Sequence, residues 1–142
     1  MSEADLYQDA LLRLAREATG AGRIEAPDAT ATLDNPLCGD RVTFEVSLRE
    51  RRVVALAHRV RGCLLCEAAA SLLGQAALAA TRQEVLAAGA SAAAMLKEGA
   101  PPPGAPWGKL GLFAPVRQVP SRHRCVLLPF EALAEALRQG EE

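Results

Sequence analysis

The sequence contains no run of about 18 consecutive apolar residues, the minimum for a helix that crosses a bilayer. Its longest apolar tract, residues 68–80, is interrupted by Ser71, Gly74 and Gln75. Positive charge is not in excess: 16 Lys and Arg face 17 Asp and Glu, for a formal net charge of −1. The electrostatic footprint of a nucleic-acid or anionic-membrane partner is therefore missing, and neither is expected. Aromatics are one Trp, one Tyr and three Phe, too few for a base-stacking platform. The opening MSEADLYQDALLRL has early acids and no basic segment before an apolar run, so no secretory signal peptide is predicted. The expectation is a cytoplasmic protein whose thiols stay reduced. Its four cysteines then read as metal ligands or reactive thiols before they read as bridges.

What is present suits one globular domain over residues 1–142. Half of the residues are apolar, which excludes a disordered tail. A chain of this length buries roughly 68% of its unfolded surface and needs no disulfide to fold. Ser2-Glu3-Ala4-Asp5 resembles a capping box, and Tyr7, Leu11, Leu14 and Ala18 recur at helical spacing, predicting a helix to about Glu17. Residues 29–33 form a short strand, ended by Asp34-Asn35-Pro36 because Asn-Pro favours a turn. Residues 41–49 alternate strictly, with Val42, Phe44, Val46 and Leu48 on one face. After the charged turn Glu50-Arg51-Arg52, residues 53–60 put Val54, Leu56, His58 and Val60 on one face, completing an antiparallel hairpin.

From Leu64 the period becomes helical, with Leu65, Ala69, Leu72, Leu73 and Ala76 on one face. Thr81-Arg82-Gln83-Glu84 is a capping box that opens another helix. Gly89 is expected to interrupt it, with Ser91 capping a last piece to about Lys97. Residues 99–108 form a Pro-rich loop, and residues 116–120 are read as irregular. A C-terminal helix covers 131–138 and has its start anywhere back to Arg122, because Pro129 suits a first turn and sits badly further in. Strands followed by helices argue for an α+β fold, a small three-stranded antiparallel sheet with helices packed on one face.

Three cysteines sit at element ends, where side chains can converge on one sheet edge. Cys38 lies in the turn Asn35-Pro36-Leu37-Cys38-Gly39-Asp40. Gly39 can take a positive φ there, letting residues 38 and 40 face one point. Cys63 follows Gly62 and precedes a helix N-terminus, whose dipole favours a thiolate. Cys125 stands in Arg122-His123-Arg124-Cys125, at the approach to the last helix. Three thiolates and one carboxylate make a four-coordinate zinc site or a labile iron site. The alternative is that these are ordinary small cysteines, since no pair has zinc-finger spacing.

The combination of Asn35-Pro36-Leu37-Cys38-Gly39-Asp40, Gly62-Cys63 with Ser71 in a small-residue helix, and Arg122-x-x-Cys125 resembles the iron–sulfur cluster assembly scaffold family of NifU N-terminal, IscU and SufU type. The resemblance implies that Cys38, Asp40, Cys63 and Cys125 hold a nascent cluster, transient and of the 2Fe–2S type, or a Zn2+ ion. It also implies a cysteine desulfurase and apo iron–sulfur acceptor proteins as partners. Cys125 follows Cys63 by 62 positions, and the stretch between them contains the Pro-rich loop, as in the SufU branch. No Leu-Pro-Pro-Val-Lys motif precedes Cys125, Arg124 stands where IscU members carry His, and Arg122 is SufU-like. The SufU side is favoured.

The leading expectation is a non-enzymatic scaffold that accepts sulfur on Cys38, binds iron and passes on the cluster. The alternative is a zinc-bound sulfurtransferase of SufU type that holds no cluster. Cys63-Leu64-Leu65-Cys66 is a CxxC, so a thiol redox protein is a third reading, although no βαβ pattern surrounds it. Cys66 is otherwise a reserve ligand, a sulfur relay or a buried small residue. His58 reads as a core or edge histidine. His123 is a candidate donor to the ligands or a solvated side chain, with Arg122 beside it. Trp107 and the prolines 101–103 read as loop packing.

Overall fold

The computed structural model describes residues 3–37 and 39–141, with side chains from Asp9 onward. Helix α1 spans Glu3–Glu17, and the capping box expected at Ser2 lies outside the described residues. Three strands follow: β1 (Ala29–Asn35), β2 (Asp40–Arg49) and β3 (Arg52–Arg61). They form one antiparallel sheet in the order β1-β2-β3. Helices α2 (Leu64–Ala76), α3 (Arg82–Glu98) and α4 (His123–Gly140) complete the chain, with two 3-10 segments, Gly108–Gln118 and Pro120–Arg122, before α4. The fold is the expected α+β, with α4 lying along β1 and β2, α2 beside β3, and α1 and α3 flanking those two helices.

The strands differ from expectation at their ends. Asn35 does not end β1 early but pairs with Asp40 as the last rung of the β1–β2 hairpin. A residue before proline is steered to extended backbone, which suits a strand as well as a turn. The β2–β3 turn is a two-residue loop, Glu50-Arg51, with φ of 53° and 66°. Two positive φ values match the twist of a hairpin, but no Asn-Gly marks the turn in the sequence. Just beyond it, Leu48 faces Val53 and Ser47 faces Ala55, so Val54 is the extra residue of a β-bulge. The bulge turns Val54 to solvent and Val53 into the core, correcting the face assigned to 53–60 at its first two positions. Leu56, His58 and Val60 keep the predicted face, opposite Val46, Phe44 and Val42.

Helix α2 is buried nearly all round, from Cys66 to Gly74. Its alanines let α1, α4 and the sheet approach closely. The chain leaving α1 is tied down at Thr19. The Thr19 N–H donates to Ser71 Oγ at 3.1 Å, the Thr19 carbonyl accepts from His58 Nε2 at 2.8 Å, and Gln75 Nε2 donates to Thr19 Oγ1 at 3.1 Å. His58 is the core histidine expected, its ring tilted against Phe44 at 5.3 Å between centroids. Burial pushes its pKa below the usual histidine range, and the Thr19 carbonyl partly offsets this. The segment after Thr19 covers the open edge of β3, where His58 N donates to Gly20 O and Gly22 N to His58 O, both at 2.9 Å.

Helix α3 opens on the predicted capping box at Thr81 and Glu84. It runs unbroken through Gly89 and Ser91, against the expected interruption. One glycine costs a helix about 1 kcal/mol, which burial of Val85, Ala88, Ala92, Met95 and Leu96 outweighs. Gly89 lies against Phe130 of α4. Residues 116–120, expected to be irregular, fall largely in the two 3-10 segments, the first of which buries Leu110, Phe113 and Val116. Trp107 is packed at its start. Helix α4 begins at His123, with Pro129 inside it. A proline there costs about 3 kcal/mol or more in an isolated helix. Burial of Val126, Leu128, Phe130, Leu133 and Leu137 holds the turn in place. Among the described residues no helix is long and apolar enough to cross a membrane.

The closest backbone approach in this core predicts a strong mutational effect. A Cβ on Gly74 would lie 1.9 Å from the Thr19 carbonyl oxygen. Gly74→Ala is expected to lower unfolding free energy by about 3 kcal/mol, the upper end for overpacking. Urea denaturation checks this as a lower midpoint with an unchanged slope.

Candidate metal centre

Three element ends meet at one point of the sheet. Asp40 opens β2, Cys63 caps α2 immediately after β3, and Cys125 lies in the first turn of α4. One ligand atom from each, the Asp40 carboxylate oxygen and the two sulfurs, lies within 4.8 Å of the others. Ligands bonded at about 2.3 Å to a tetrahedral ion stand roughly 3.7 Å apart. The group thus needs only a small contraction to close on a metal. Asp40 and Cys125 are buried and Cys63 is half-buried, so the site opens to solvent on the Cys63 side.

The placement of Asp40 is over-determined. Its Oδ1 accepts from the Cys63 N–H at 3.2 Å, which locks β2 to the start of α2. That approach requires glycine at position 62, because a Cβ there would lie 2.4 Å from Asp40 Oδ1. The second oxygen, Oδ2, is buried and has no hydrogen-bond partner. A carboxylate that is 2% exposed and half unsatisfied is costly unless a cation or donor completes it. Two sulfurs beside it supply the donor chemistry for zinc or iron. These residues fit the metal that the sequence motifs imply.

Cys38 lies outside the described residues; its chain neighbours Leu37 and Gly39 are in the hairpin loop, where Gly39 has φ +72° and Leu37 is 93% exposed. Cys66 is fully buried in the core cluster one turn beyond Cys63, and its sulfur is not part of the three-residue group. Arg122 is exposed at the end of the last 3-10 segment, and Arg124 pairs with Glu131. His123 is half-buried at the start of α4, with Nε2 3.3 Å from the Arg117 carbonyl, and it does not join the group. The structure adds two residues that sequence reasoning did not assign to the site. One is Gly62, visible in the sequence only as the neighbour of a cysteine. The other is Asn35, which read as a turn former. It is 2% exposed, faces Asp40 across the hairpin, and accepts the Leu37 N–H on Oδ1 at 3.2 Å.

Comparisons with known proteins agree with this geometry. Residues 6–109 match the family described as NifU-like N terminal domain. The iron-sulfur cluster assembly scaffold protein IscU of Streptococcus pyogenes serotype M1 is 28% identical over 119 residues, 84% of this chain and 74% of that protein. The IscU 1 scaffold of Archaeoglobus fulgidus is 27% identical over 81 residues, 57% of this chain and 53% of its own length. Among solved structures, a nitrogen-fixing NifU-like protein (N-terminal) from Brucella abortus superposes with TM-score 0.90 at 36% identity, covering 96% of this chain and 95% of that one. An iron-sulfur cluster assembly scaffold protein for the SUF system from Fervidobacterium islandicum AW-1 superposes with TM-score 0.81 at 25% identity, covering 96% of each chain.

The tight seat of Asp40 makes Gly62 a sensitive position. Gly62→Ala is expected to push the carboxylate out of the group and to lower zinc retention by at least about tenfold, the scale for disturbing a residue that supports metal ligands. Competition with a chromophoric chelator measures it, and retention equal to that of the unmutated chain would contradict the packing described.

Proposed function

The chain belongs to the NifU-like N-terminal domain family, and on that premise we propose that it is an iron–sulfur cluster assembly scaffold. It accepts sulfur from a cysteine desulfurase, gathers iron and passes the assembled cluster to apo-proteins. The observation that carries this reading is the Asp40–Cys63–Cys125 group with its unpartnered buried carboxylate oxygen. The role is that of a carrier, not of a classical enzyme. Residues 1–142 act as one scaffold unit, working in the cytoplasm, where thiols stay reduced.

In this reading Cys38 is the fourth ligand and the sulfur acceptor. The motif places it two residues before Asp40, next to a glycine with φ +72°. The Cys38 thiolate attacks the outer sulfur of the desulfurase persulfide. The donor's S–S bond breaks, the desulfurase cysteine leaves as a thiolate, and Cys38 carries the new persulfide. An external two-electron donor must then reduce this persulfide, which frees its outer sulfur as sulfide and returns Cys38 to a thiolate; iron and that sulfide would occupy the group as cargo. Three thiolates hold them firmly, while the harder carboxylate of Asp40 is the exchangeable ligand. A 2Fe–2S cluster matches a site of four protein ligands. Arg122 and His123 flank the ligand Cys125 at the start of α4 and lend it positive or donor character.

The second reading is a zinc-bound sulfurtransferase, in which Cys38 leaves zinc to take sulfur and no cluster forms. It is kept because the donor set of one carboxylate and two cysteine sulfurs suits zinc as well as iron. A CxxC redox role for Cys63 and Cys66 has less support, because Cys66 is 0% exposed and reactive thiols need access.

Metal and acid-labile sulfide analysis of anaerobically purified protein separates the first two readings. Iron with sulfide in equal amount is the expected result; one tightly held zinc per chain without sulfide is the result for the sulfurtransferase. Sulfur acceptance is tested by mass spectrometry after incubation with desulfurase and cysteine. Cys38→Ser is expected to abolish the persulfide and Cys66→Ser to leave most of it; persulfide mapping mainly to Cys125 or Cys66 would overturn the assignment.

A further inference from the structure

We propose that the side-chain amide of Asn35 is a hydrogen-bond donor held for the electron-rich sulfur atoms that the Asp40–Cys63–Cys125 group gathers around its cargo. The inference rests on the reading of that group as a metal and cluster site. It adds a positioning residue which that reading does not contain.

Asn35 and Asp40 face each other as the last rung of the β1–β2 hairpin. Directly opposed residues leave a sheet on the same face, with Cβ atoms about 4.5–5.5 Å apart. Both are 2% exposed. The backbone of Asn35 serves the turn, since its carbonyl accepts from Gly39 N at 2.8 Å. Half of its side chain does so too, because Oδ1 accepts the Leu37 N–H at 3.2 Å. A backbone N–H can only donate, so this bond fixes which end of the amide is oxygen. The other end, Nδ2, is buried and has no partner.

The neighbouring orphan is complementary. Asp40 Oδ2 lacks a donor while Asn35 Nδ2 lacks an acceptor, and the two do not satisfy each other. Each buried polar group left without its bond is destabilising. A third body that is positive toward the carboxylate and electron-rich toward the amide would satisfy both. A metal held by thiolate or sulfide sulfur has that character. An open cavity of about 400 Å³, walled by Asp34, Asn35, Pro36, Gly39, Asp40, Arg41 and Arg61, lies beside the pair, so both side chains adjoin accessible space. A residue needed for the turn alone would not have to be Asn, since Ser or Asp also offers an oxygen to the N–H two residues on. The amide nitrogen is what Asn adds. Hydrogen bonds to sulfur tune the potential and hold of a cluster, and partners of the ligands set their orientation.

The test uses the full chain loaded with cobalt(II), whose thiolate charge-transfer band reports on the sulfur atoms. Asn35→Ser keeps an oxygen for the turn and removes the amide. It is expected to bind cobalt at the stoichiometry of the unmutated chain, with affinity about 10–100-fold lower. Its charge-transfer band should move to longer wavelength as the sulfurs lose a donor. An unchanged band and affinity would overturn the inference. A second measurement needs no variant: in the unmutated chain the Asn35 side-chain amide protons should shift downfield on cadmium(II) loading. Protons that stay in place overturn the inference even if Asn35→Ser fails to fold. An unmutated chain that takes up neither metal defeats the functional reading and this inference with it; normal loading without the Asn35 effects defeats the inference alone.

Discussion

The hydrogen bond from the Cys63 N–H to Asp40 Oδ1 joins the first residue of β2 to the cap of α2. It is possible only because residue 62 lacks a Cβ. Through this contact the Asp40 carboxylate and the Cys63 sulfur are held within 4.8 Å of each other. Cys125 arrives from the other side, carried by α4, whose apolar face is buried along β1 and β2. The site is therefore a junction of three rigid elements.

The core holds the three elements of the junction in place. Helix α2 is shielded on nearly every side, which its run of alanines permits, and the chain leaving α1 is knotted to it at Thr19. His58 contributes through the same knot, so a residue type associated with metal binding here serves packing. Its ring lies against Phe44, and its proton on Nε2 is spent on the Thr19 carbonyl. The long connection between α3 and α4 is not a loose insertion. Leu110, Phe113 and Val116 bury it, which fixes where α4 begins and hence where Cys125 points.

The buried polar atoms divide by purpose. Ser71, Thr19 and Gln75 satisfy one another, as structural groups should. Asp40 Oδ2 and Asn35 Nδ2 do not, and they stand at the same sheet edge as the two cysteine sulfurs. Other buried nitrogens also lack hydrogen-bond partners, on His58, Arg59 and Arg82, but among the described residues only this pair stands beside a cluster of metal-ligand side chains.

Local chemistry made much of this legible in the sequence. The alternation over 41–49, the period change at Leu64 and the capping box at Thr81 each reflect contacts within a few residues, and each reads directly as strand, helix or cap. The motifs around residues 38, 63 and 125 also named the ligand types. Tertiary packing decided what local rules could not. It carried α3 through Gly89 and α4 through Pro129, because burial of their apolar faces outweighed the local cost. It placed a bulge at Val54, which only the pairing of β2 with β3 can create. It also decided the settings of Gly62 and Asn35, since the close approach of Gly62 to Asp40 joins the end of β3 to the start of β2, and the burial of the Asn35 amide comes only with the packed fold.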